Sequence, residues 1–152
     1  MNHIRPARRD DAQIIQEIYT ACVPVDVAGL TYEVSDWPLY VGVAHVHLLI
    51  AETKEGEVVG FLLGYDLVNW GYIDILVVRH SARGKGAGAA LIASFEKRAE
   101  GRWVASELAV DPEDVELWVF LKGRGYTKAG TTEWCVHDLS GEVPRRRKRQ
   151  SE

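Results

Sequence analysis

The chain has 152 residues, of which 47% are hydrophobic and 26% charged, and its formal net charge is −4. This composition predicts one soluble globular domain and excludes a disordered chain or a disulfide-rich scaffold, since only two cysteines are present. No apolar run reaches the roughly 20 residues of a membrane span and no signal-peptide pattern opens the chain, so we expect a cytoplasmic protein without a membrane partner. Basic residues cluster at 145–149, which leaves an acidic body that suits an amine-bearing partner better than nucleic acid.

The first half of the chain is predicted to run from a strand and a helix into a β-hairpin. Residues 4–7 read as a strand. Asp10 and Gln13 have capping-box spacing before a helical stripe, which is formed by Ile14, Ile15, Ile18 and Cys22. Residues 24–45, interrupted by proline and glycine, predict a loop with one short helix. Two β-favouring runs follow at 47–53 and 58–67, on either side of a glycine-containing turn.

The second half begins with a turn at 69–71 and a nearly continuous apolar run at 72–78, which predicts a central strand buried on both faces. The spacing of Gly88, Leu91, Ile92, Phe95 and Ala99 predicts a helix. A strand at 103–109 follows. Asp111 and Pro112 then predict the start of another helix, and the last strand is expected at 131–139.

The segment between the central strand and the next helix is rich in glycine and basic residues. Gly84, Gly86 and Gly88 alternate there with other residues, and Arg83 and Lys85 add positive charge. The first amides of a helix have no internal partner, and glycines let a phosphate approach the backbone closely. A strand, a glycine-rich turn and a helix in this order therefore predict an anion site.

Two common phosphate-binding motifs, the P-loop and the dinucleotide fingerprint, do not match this segment in full. A P-loop fails because no glycine precedes Gly84 at the required spacing. The dinucleotide fingerprint matches Gly84, Gly86 and Ala89, with Glu107 near the place of a ribose-binding acid. However, residues 79–83 separate its first glycine from the strand end, where that fold allows almost no gap. A plain surface loop would leave helix-weakening glycines without a function.

The pattern Arg83-x-x-Gly86-x-Gly88 resembles the Q/R-x-x-G-x-G/A motif of the GNAT N-acetyltransferase superfamily. The predicted order of strands and helices resembles that family over nearly the whole chain. The resemblance implies an α/β (α+β) fold over 1–139, with a mixed central sheet of about six to seven strands, helices on both faces and splayed central strands. Residues 140–152 are then expected to be a basic, disordered tail.

The resemblance also implies acetyl-coenzyme A (acetyl-CoA) as cosubstrate and no metal. The backbone of Leu76, Val77 and Val78 would pair with the pantetheine arm as if it were an added strand, and the N–H of Val78 or of a neighbouring residue would stabilise the oxyanion. The pyrophosphate would be held by the backbone amides of Arg83, Gly84, Lys85, Gly86, Ala87, Gly88 and Ala89.

A later motif of the family is followed in spacing by Phe120 to Tyr126, with one departure. Leu121 stands where the family commonly has a tyrosine, which is the usual candidate for protonating the leaving thiolate. Asp114 also stands where many relatives have asparagine. These departures bear on the mechanism rather than on the fold.

Asp74 is the first candidate for a general base, because it is the only acid in the central strand and acids near this place serve as bases in some relatives. A strand acid that pairs locally fits Asp74 equally well. Tyr32 and Glu33 lie where the family builds its acceptor pocket, and we treat Tyr32 as a second catalytic candidate and Glu33 as a substrate-binding one. Asn69 and Trp70 are further substrate-binding candidates.

His45 and His47 alternate along one run, but no third ligand is evident, so no metal site is predicted. The sequence thus predicts transfer of an acetyl group from acetyl-CoA to a primary amine of a small molecule or peptide, with homodimerisation left open. A non-catalytic, coenzyme A-binding regulatory module of the same fold is the alternative that Leu121 leaves open. The acceptor is not specified by the sequence.

Overall fold

The computed structural model describes residues 2–23, 32–67, 69–99, 105–108 and 114–128. It divides into two units, Met1–Leu108 and Ala109–Glu152, which are described separately below. The predicted last strand at 131–139 and the predicted tail lie outside the described residues. Within the described residues, no helix has the length and apolar character needed to cross a membrane.

One sheet of five strands forms the first unit, and its strands lie side by side in chain order. Neighbouring strands are antiparallel except for the last pair, which is parallel. The strands are β1 (His3–Pro6), β2 (Val46–Glu52), β3 (Val58–Leu67), β4 (Trp70–Val78) and β5 (Ala105–Leu108). This mixed sheet agrees with the predicted α/β architecture, but the described residues supply five strands rather than six to seven.

Helices cover both faces of the sheet. Leu63 of β3 belongs to one buried cluster with Ile15 of the helix Ala12–Cys22 (α1). A Cβ at the next residue, Gly64, would lie 2.6 Å from the ring of Phe95 in the helix Ala87–Glu96 (α2). Consecutive strand residues point to opposite faces, so the two helices pack on opposite sides, as predicted. The helices are α1 (Ala12–Cys22) and α2 (Ala87–Glu96), with short 3₁₀ turns at Arg9–Asp11, Trp37–Tyr40, His80–Ala82 and Lys97–Ala99.

The strand that is buried on both faces is β3, not β4. Residues 59–64 of β3 are all buried. In β4 the second half is largely half-buried, at Asp74, Ile75, Leu76 and Val78. The apolar run at 72–78 therefore predicted the strand correctly and its burial wrongly. Among the described residues, this half of β4 extends past the pairing with β5, which covers Trp70 to Ile73.

The second unit contains α3 (Val115–Gly123). Its N-cap is Asp114, whose Oδ1 accepts a hydrogen bond from the Leu117 amide at 2.9 Å, so the cap predicted at Asp111 is wrong. The helix ends before Gly125, which has a φ of +89°. Leu121 is only 1% exposed and carries no titratable group.

The start of α1 also differs from the predicted capping box of Asp10 and Gln13. A 3₁₀ turn precedes the helix, and the carboxylate of Asp11 accepts a hydrogen bond from the Arg8 amide at 2.6 Å. Asp11 also accepts two hydrogen bonds from the guanidinium of Arg5, at 2.8 and 2.9 Å. These contacts tie the first helical turn to β1.

Arg5 also bonds Glu52 of β2 at 2.7 Å, which completes an ion-pair cluster at the edge of the sheet. The side chains of Arg5 and Asp11 are each 13% exposed. Hydrogen bonds from Arg5 hold the pKa values of Asp11 and Glu52 below their usual range.

We expect Arg5→Met to lower the free energy of unfolding at neutral pH by about 1–3 kcal/mol, because hydrogen bonds between charged groups are lost. Both carboxyl pKa values are lower in the folded than in the unfolded state. Their contribution is therefore complete above the unfolded pKa values of roughly 4 and is lost as pH falls through the folded values. Urea unfolding of wild type and variant should thus differ less at about pH 3 than at about pH 7.

Arg9→Met is the matched control. Arg9 is exposed and lies in the 3₁₀ turn that also contains Asp11. It removes the same charge without touching the cluster. An equal loss in Arg9→Met, or a difference that does not change with pH, would argue against a stabilising role for Arg5.

Candidate active site

The glycine-rich turn follows β4 through the short 3₁₀ turn His80–Ala82 and leads into α2 at Ala87. Gly84 and Gly86 have φ values of +72° and +86°, a conformation that costs an L-residue about 1–2 kcal/mol. A Cβ at either position would meet no atom within 4 Å. The backbone conformation, rather than crowding within the protein, therefore requires glycine here.

The turn presents backbone amides at the start of α2. Gly86 is the N-cap residue and has no side chain, so no side-chain cap forms. The first bond of the helix runs from the Ala90 amide to the Gly86 carbonyl at 3.0 Å. The amides of residues 87–89 consequently have no acceptor within the helix, and the helix dipole adds positive potential. This is the geometry of an anion site.

Arg83 fastens the turn to the end of β4. Its Nε donates to the Val78 carbonyl at 3.3 Å, and its amide donates to the His80 carbonyl at 3.3 Å. The cofactor-binding residues predicted at 76–78 and 83–89 thus lie on one continuous path from strand to helix.

A β-bulge lies in β4 at Asp74. Leu63 pairs with Ile75 and Gly64 with Ile73, so Asp74 has no partner of its own on β3. Ile75 packs against the cluster on the α1 side of the sheet, and Asp74 contacts a residue of the same cluster. Two consecutive side chains, those of Asp74 and Ile75, therefore face the same side of the sheet, which interrupts the regular alternation of the strand.

The half of β4 after the bulge has one edge that does not pair with β5. Described pairing between the two strands covers Trp70 to Ile73. The Arg79 amide donates to β3 at Val59, so the N–H and C=O groups of Val78, and of Leu76 two residues earlier, face away from β3. An extended ligand could use these groups; the Val78 carbonyl already accepts one hydrogen bond, from Arg83 Nε, and has a second lone pair.

Asp74 and Tyr32, both predicted as catalytic candidates, are in direct contact. The Tyr32 hydroxyl donates to Asp74 Oδ2 at 2.8 Å, although 42 residues separate them in the chain. Asp74 is half-buried, and so is Tyr32. The carboxylate thus faces both protein and solvent.

Aromatic rings hold Tyr32 in place. Its ring stacks on Trp37 with centroids 4.9 Å apart, and Tyr19 and Tyr40 meet it edge-on at 5.8 and 6.0 Å. Trp37 is completely buried. The short helix predicted within 24–45 is confirmed as the 3₁₀ turn Trp37–Tyr40, which supplies two of these rings.

Burial, followed by the hydrogen bond to Asp74, raises the pKa of Tyr32 above its ordinary value. Burial and the charge of Asp74 also raise the pKa of Tyr65, on β3, to about 12. Both phenols are therefore neutral at physiological pH. Tyr32 acts as a hydrogen-bond donor here, and the carboxylate of Asp74 accepts its hydrogen bond.

The predicted substrate-binding residues are not all brought to this site. Glu33 is exposed, and in the described structure its main-chain N–H donates a hydrogen bond to Asp36 Oδ2 at 2.7 Å. Asn69 lies in the turn between β3 and β4. Trp70, predicted to be part of that turn, instead begins β4 and pairs with Leu67, because the hairpin is tighter than expected.

His45 and His47 contact Asp66 instead of forming a metal pair. His47 Nε2 lies 2.9 Å from Asp66 Oδ1, and His45 Nδ1 lies 3.9 Å from Oδ2. The ring of His47 meets Phe95 of α2, so it lies on the face opposite Tyr32 and Asp74. In the part of the chain that the structure describes, no three His, Cys, Asp or Glu side chains are grouped to hold a metal ion.

Gln16 and Tyr65 are parts of this site that the sequence did not indicate. Gln16 of α1 bonds both Tyr32 and Trp37, and Tyr65 lies near Asp74 on the neighbouring strand. Neither belongs to a motif. A polar residue beside the buried stripe of α1 was the one available signal for Gln16.

Comparison with known proteins agrees with this geometry. A family model described as the acetyltransferase (GNAT) family matches residues 12–126. The blasticidin-S acetyltransferase of Streptomyces morookaense is 34% identical over 85 residues, which are 56% of this chain and 59% of that protein. The match thus spans about three fifths of the length of this curated relative.

Solved structures share the fold. A transcriptional regulator from Bacillus halodurans C-125 superposes with a TM-score of 0.75 at 22% identity, covering 91% of this chain and 100% of that one. A ribosomal-protein-alanine N-acetyltransferase from Brucella melitensis biovar Abortus 2308 gives a TM-score of 0.70 at 22% identity, with coverage of 91% and 100%. At such identities the likeness is one of fold.

Proposed function

Because the chain belongs to the acetyltransferase (GNAT) family, we propose that it is an N-acetyltransferase that moves an acetyl group from acetyl-CoA to a primary amine. The observation that carries this proposal is the course of β4. The strand leads from Asp74 on its bulge, past the outward-facing backbone of Leu76 and Val78, into the glycine turn. A carboxylate, outward-facing backbone groups and the glycine turn thus follow one another along a single strand, and this order supports the proposal.

The residues of the turn fit the pyrophosphate of coenzyme A. The glycines with positive φ have no side chain that would keep a phosphate from the backbone. The amides of residues 87–89, which have no acceptor within the helix, point out of the helix start. The N–H and C=O groups of Leu76 and the C=O of Val78 would pair with the pantetheine amides, as an added strand would. When bound, acetyl-CoA would supply the activated thioester carbonyl.

Asp74 would serve as the general base. An alkylamine has a pKa of about 10.4, so the acceptor arrives protonated and must lose a proton before it can attack. The Tyr32 hydroxyl fixes Asp74 Oδ2, and within the described part of the chain no protein donor is bonded to Oδ1. Oδ1 would therefore receive the amine, and the N–H of Val78 would stabilise the developing oxyanion.

The acceptor is proposed to be a cationic amine of a small molecule or peptide. A carboxylate held in an aromatic surrounding, on a chain of net charge −4, favours a positively charged acceptor. The similarity to blasticidin-S acetyltransferase makes blasticidin-S the first antibiotic to test. Peptide amines belong in the same panel.

The test combines isothermal titration with coenzyme A and a thiol-release assay over a panel of amines, with products checked by mass spectrometry. We expect coenzyme A to bind and at least one amine to be acetylated. Failure to bind coenzyme A, while a known relative binds it under the same conditions, would rule out the proposal.

A binding module is the second candidate function, favoured by one observation. Leu121 offers no proton donor at the place where relatives commonly have a tyrosine. Coenzyme A binding without thiol release by any amine or peptide would favour this second function over the enzyme.

A further inference from the structure

Gln16 of α1 connects two residues that shape the candidate active site. Its Oε1 accepts a hydrogen bond from the indole Nε1 of Trp37 at 2.6 Å. Its Nε2 donates to the main-chain carbonyl of Tyr32 at 2.9 Å and to Thr20 Oγ1 at 3.2 Å. One side-chain amide therefore uses its acceptor and both of its donors.

The partners allow only one orientation of this amide. An indole N–H can only donate, and a main-chain carbonyl can only accept, so Oε1 must face Trp37 and Nε2 must face Tyr32. Glutamate has the same shape but no N–H, and it would set a negative charge against the Tyr32 carbonyl. Methionine would satisfy neither partner.

Tyr32 is thereby fixed from two sides. Gln16 holds its main chain directly, and it also holds Trp37, on which the Tyr32 ring stacks. The hydroxyl of the same tyrosine bonds Asp74. The position of Tyr32, the partner of the Asp74 carboxylate, therefore depends on the side-chain amide of Gln16. In the described structure, Gln16 lies in another element and touches neither Asp74 nor the glycine turn.

We propose that Gln16 is a positioning residue that sets the Tyr32–Asp74 hydrogen bond, and that acetyl transfer depends on it through the Tyr32 hydroxyl. This inference rests on the proposed function for its catalytic part. Its structural part, the placement of Tyr32, can be measured without activity.

The experiment compares Gln16→Glu and Gln16→Met with Gln13→Glu and Gln13→Met. Gln13 is exposed on the same helix, and in the described part of the chain its side chain donates a hydrogen bond to Glu17 Oε1 at 3.3 Å, so it controls for charge and helix propensity. We expect the Gln16 variants to lose roughly tenfold to a hundredfold in kcat/KM, as misplaced catalytic groups do, and the Gln13 variants to stay within about twofold of wild type.

A double-mutant cycle separates positioning from general destabilisation. In the Tyr32→Phe background the Gln16 substitutions should change kcat/KM by no more than about twofold, because the hydroxyl through which they act is already absent. A full loss in that background would overturn the inference. Thermal unfolding identifies any variant that does not fold, and the isosteric Gln16→Glu serves where Gln16→Met fails.

A spectroscopic readout needs no turnover. With 3-fluorotyrosine incorporated, the ¹⁹F resonance that disappears in Tyr32→Phe should shift in the Gln16 variants and not in the Gln13 variants. An unchanged resonance overturns the inference. If the wild-type protein transfers no acetyl group while this resonance does shift, the proposed function fails and the positioning role stands.

Discussion

Asp74→Asn is expected to lower kcat/KM for the best amine by roughly 100- to 10,000-fold, the usual contribution of a positioned base. Asparagine keeps the size of the side chain, and its carbonyl oxygen can still accept the Tyr32 hydroxyl, but it cannot take a proton from the acceptor ammonium. The affinity for coenzyme A should change by less than about twofold, since the glycine turn is untouched. Initial rates of thiol release and titration with coenzyme A measure the two quantities separately.

Asp10→Asn is the matched control, because Asp10 is an exposed acid in the 3₁₀ turn before α1. It should leave both quantities unchanged. Retention of most of the activity in Asp74→Asn would place the base elsewhere, and a parallel loss of coenzyme A affinity would assign Asp74 a structural role.

Gly86→Ala is expected to weaken coenzyme A binding beyond what its effect on folding explains. A methyl group at Gly86 meets no protein atom, so it would project into the open space from which the pyrophosphate must approach the amides. Displacing one hydrogen bond to a charged group costs about 1.5–3 kcal/mol, which is roughly a 10- to 150-fold loss of affinity. Titration with coenzyme A gives this number directly.

Gly56→Ala provides the comparison that isolates the site. Gly56 lies in the turn between β2 and β3, has the same φ of +86°, and also has no atom near its added Cβ. Both variants should lose about 1–2 kcal/mol of stability from the strained backbone. Only Gly86→Ala should lose affinity for coenzyme A. Equal affinities in the two variants would mean that the phosphates lie elsewhere.

The pieces of this site that the sequence predicted are those encoded locally. The glycine turn was evident because Gly84 and Gly86 lie between a β-favouring run and a helical period, and those patterns depend on neighbouring residues alone. The same holds for the hairpin of β2 and β3. The start of β4 was misplaced by two residues, since a strand boundary depends on its partner as well as its own composition.

The burial of β4 is a feature that local sequence patterns did not predict. Its apolar run predicted a strand covered on both faces, yet the strand that is covered in this way is β3. Where a neighbouring strand ends is decided by residues elsewhere in the chain. The described pairing with β5 covers Trp70 to Ile73, and the described residues of β5 offer the backbone of Leu76 and Val78 no partner.

The sequence by itself predicted the order of the described elements, the glycine turn and the family, because strand, turn and helix signals arise from residues adjacent in the chain. Only the tertiary structure decided how Asp74 is used. Its carboxylate lies on the α1 side of the sheet beside Tyr32, which comes from 42 residues away and is held by Gln16 and Trp37. Contacts of this kind form when the sheet and its helices pack together, and the periodicity of the sequence does not predict them.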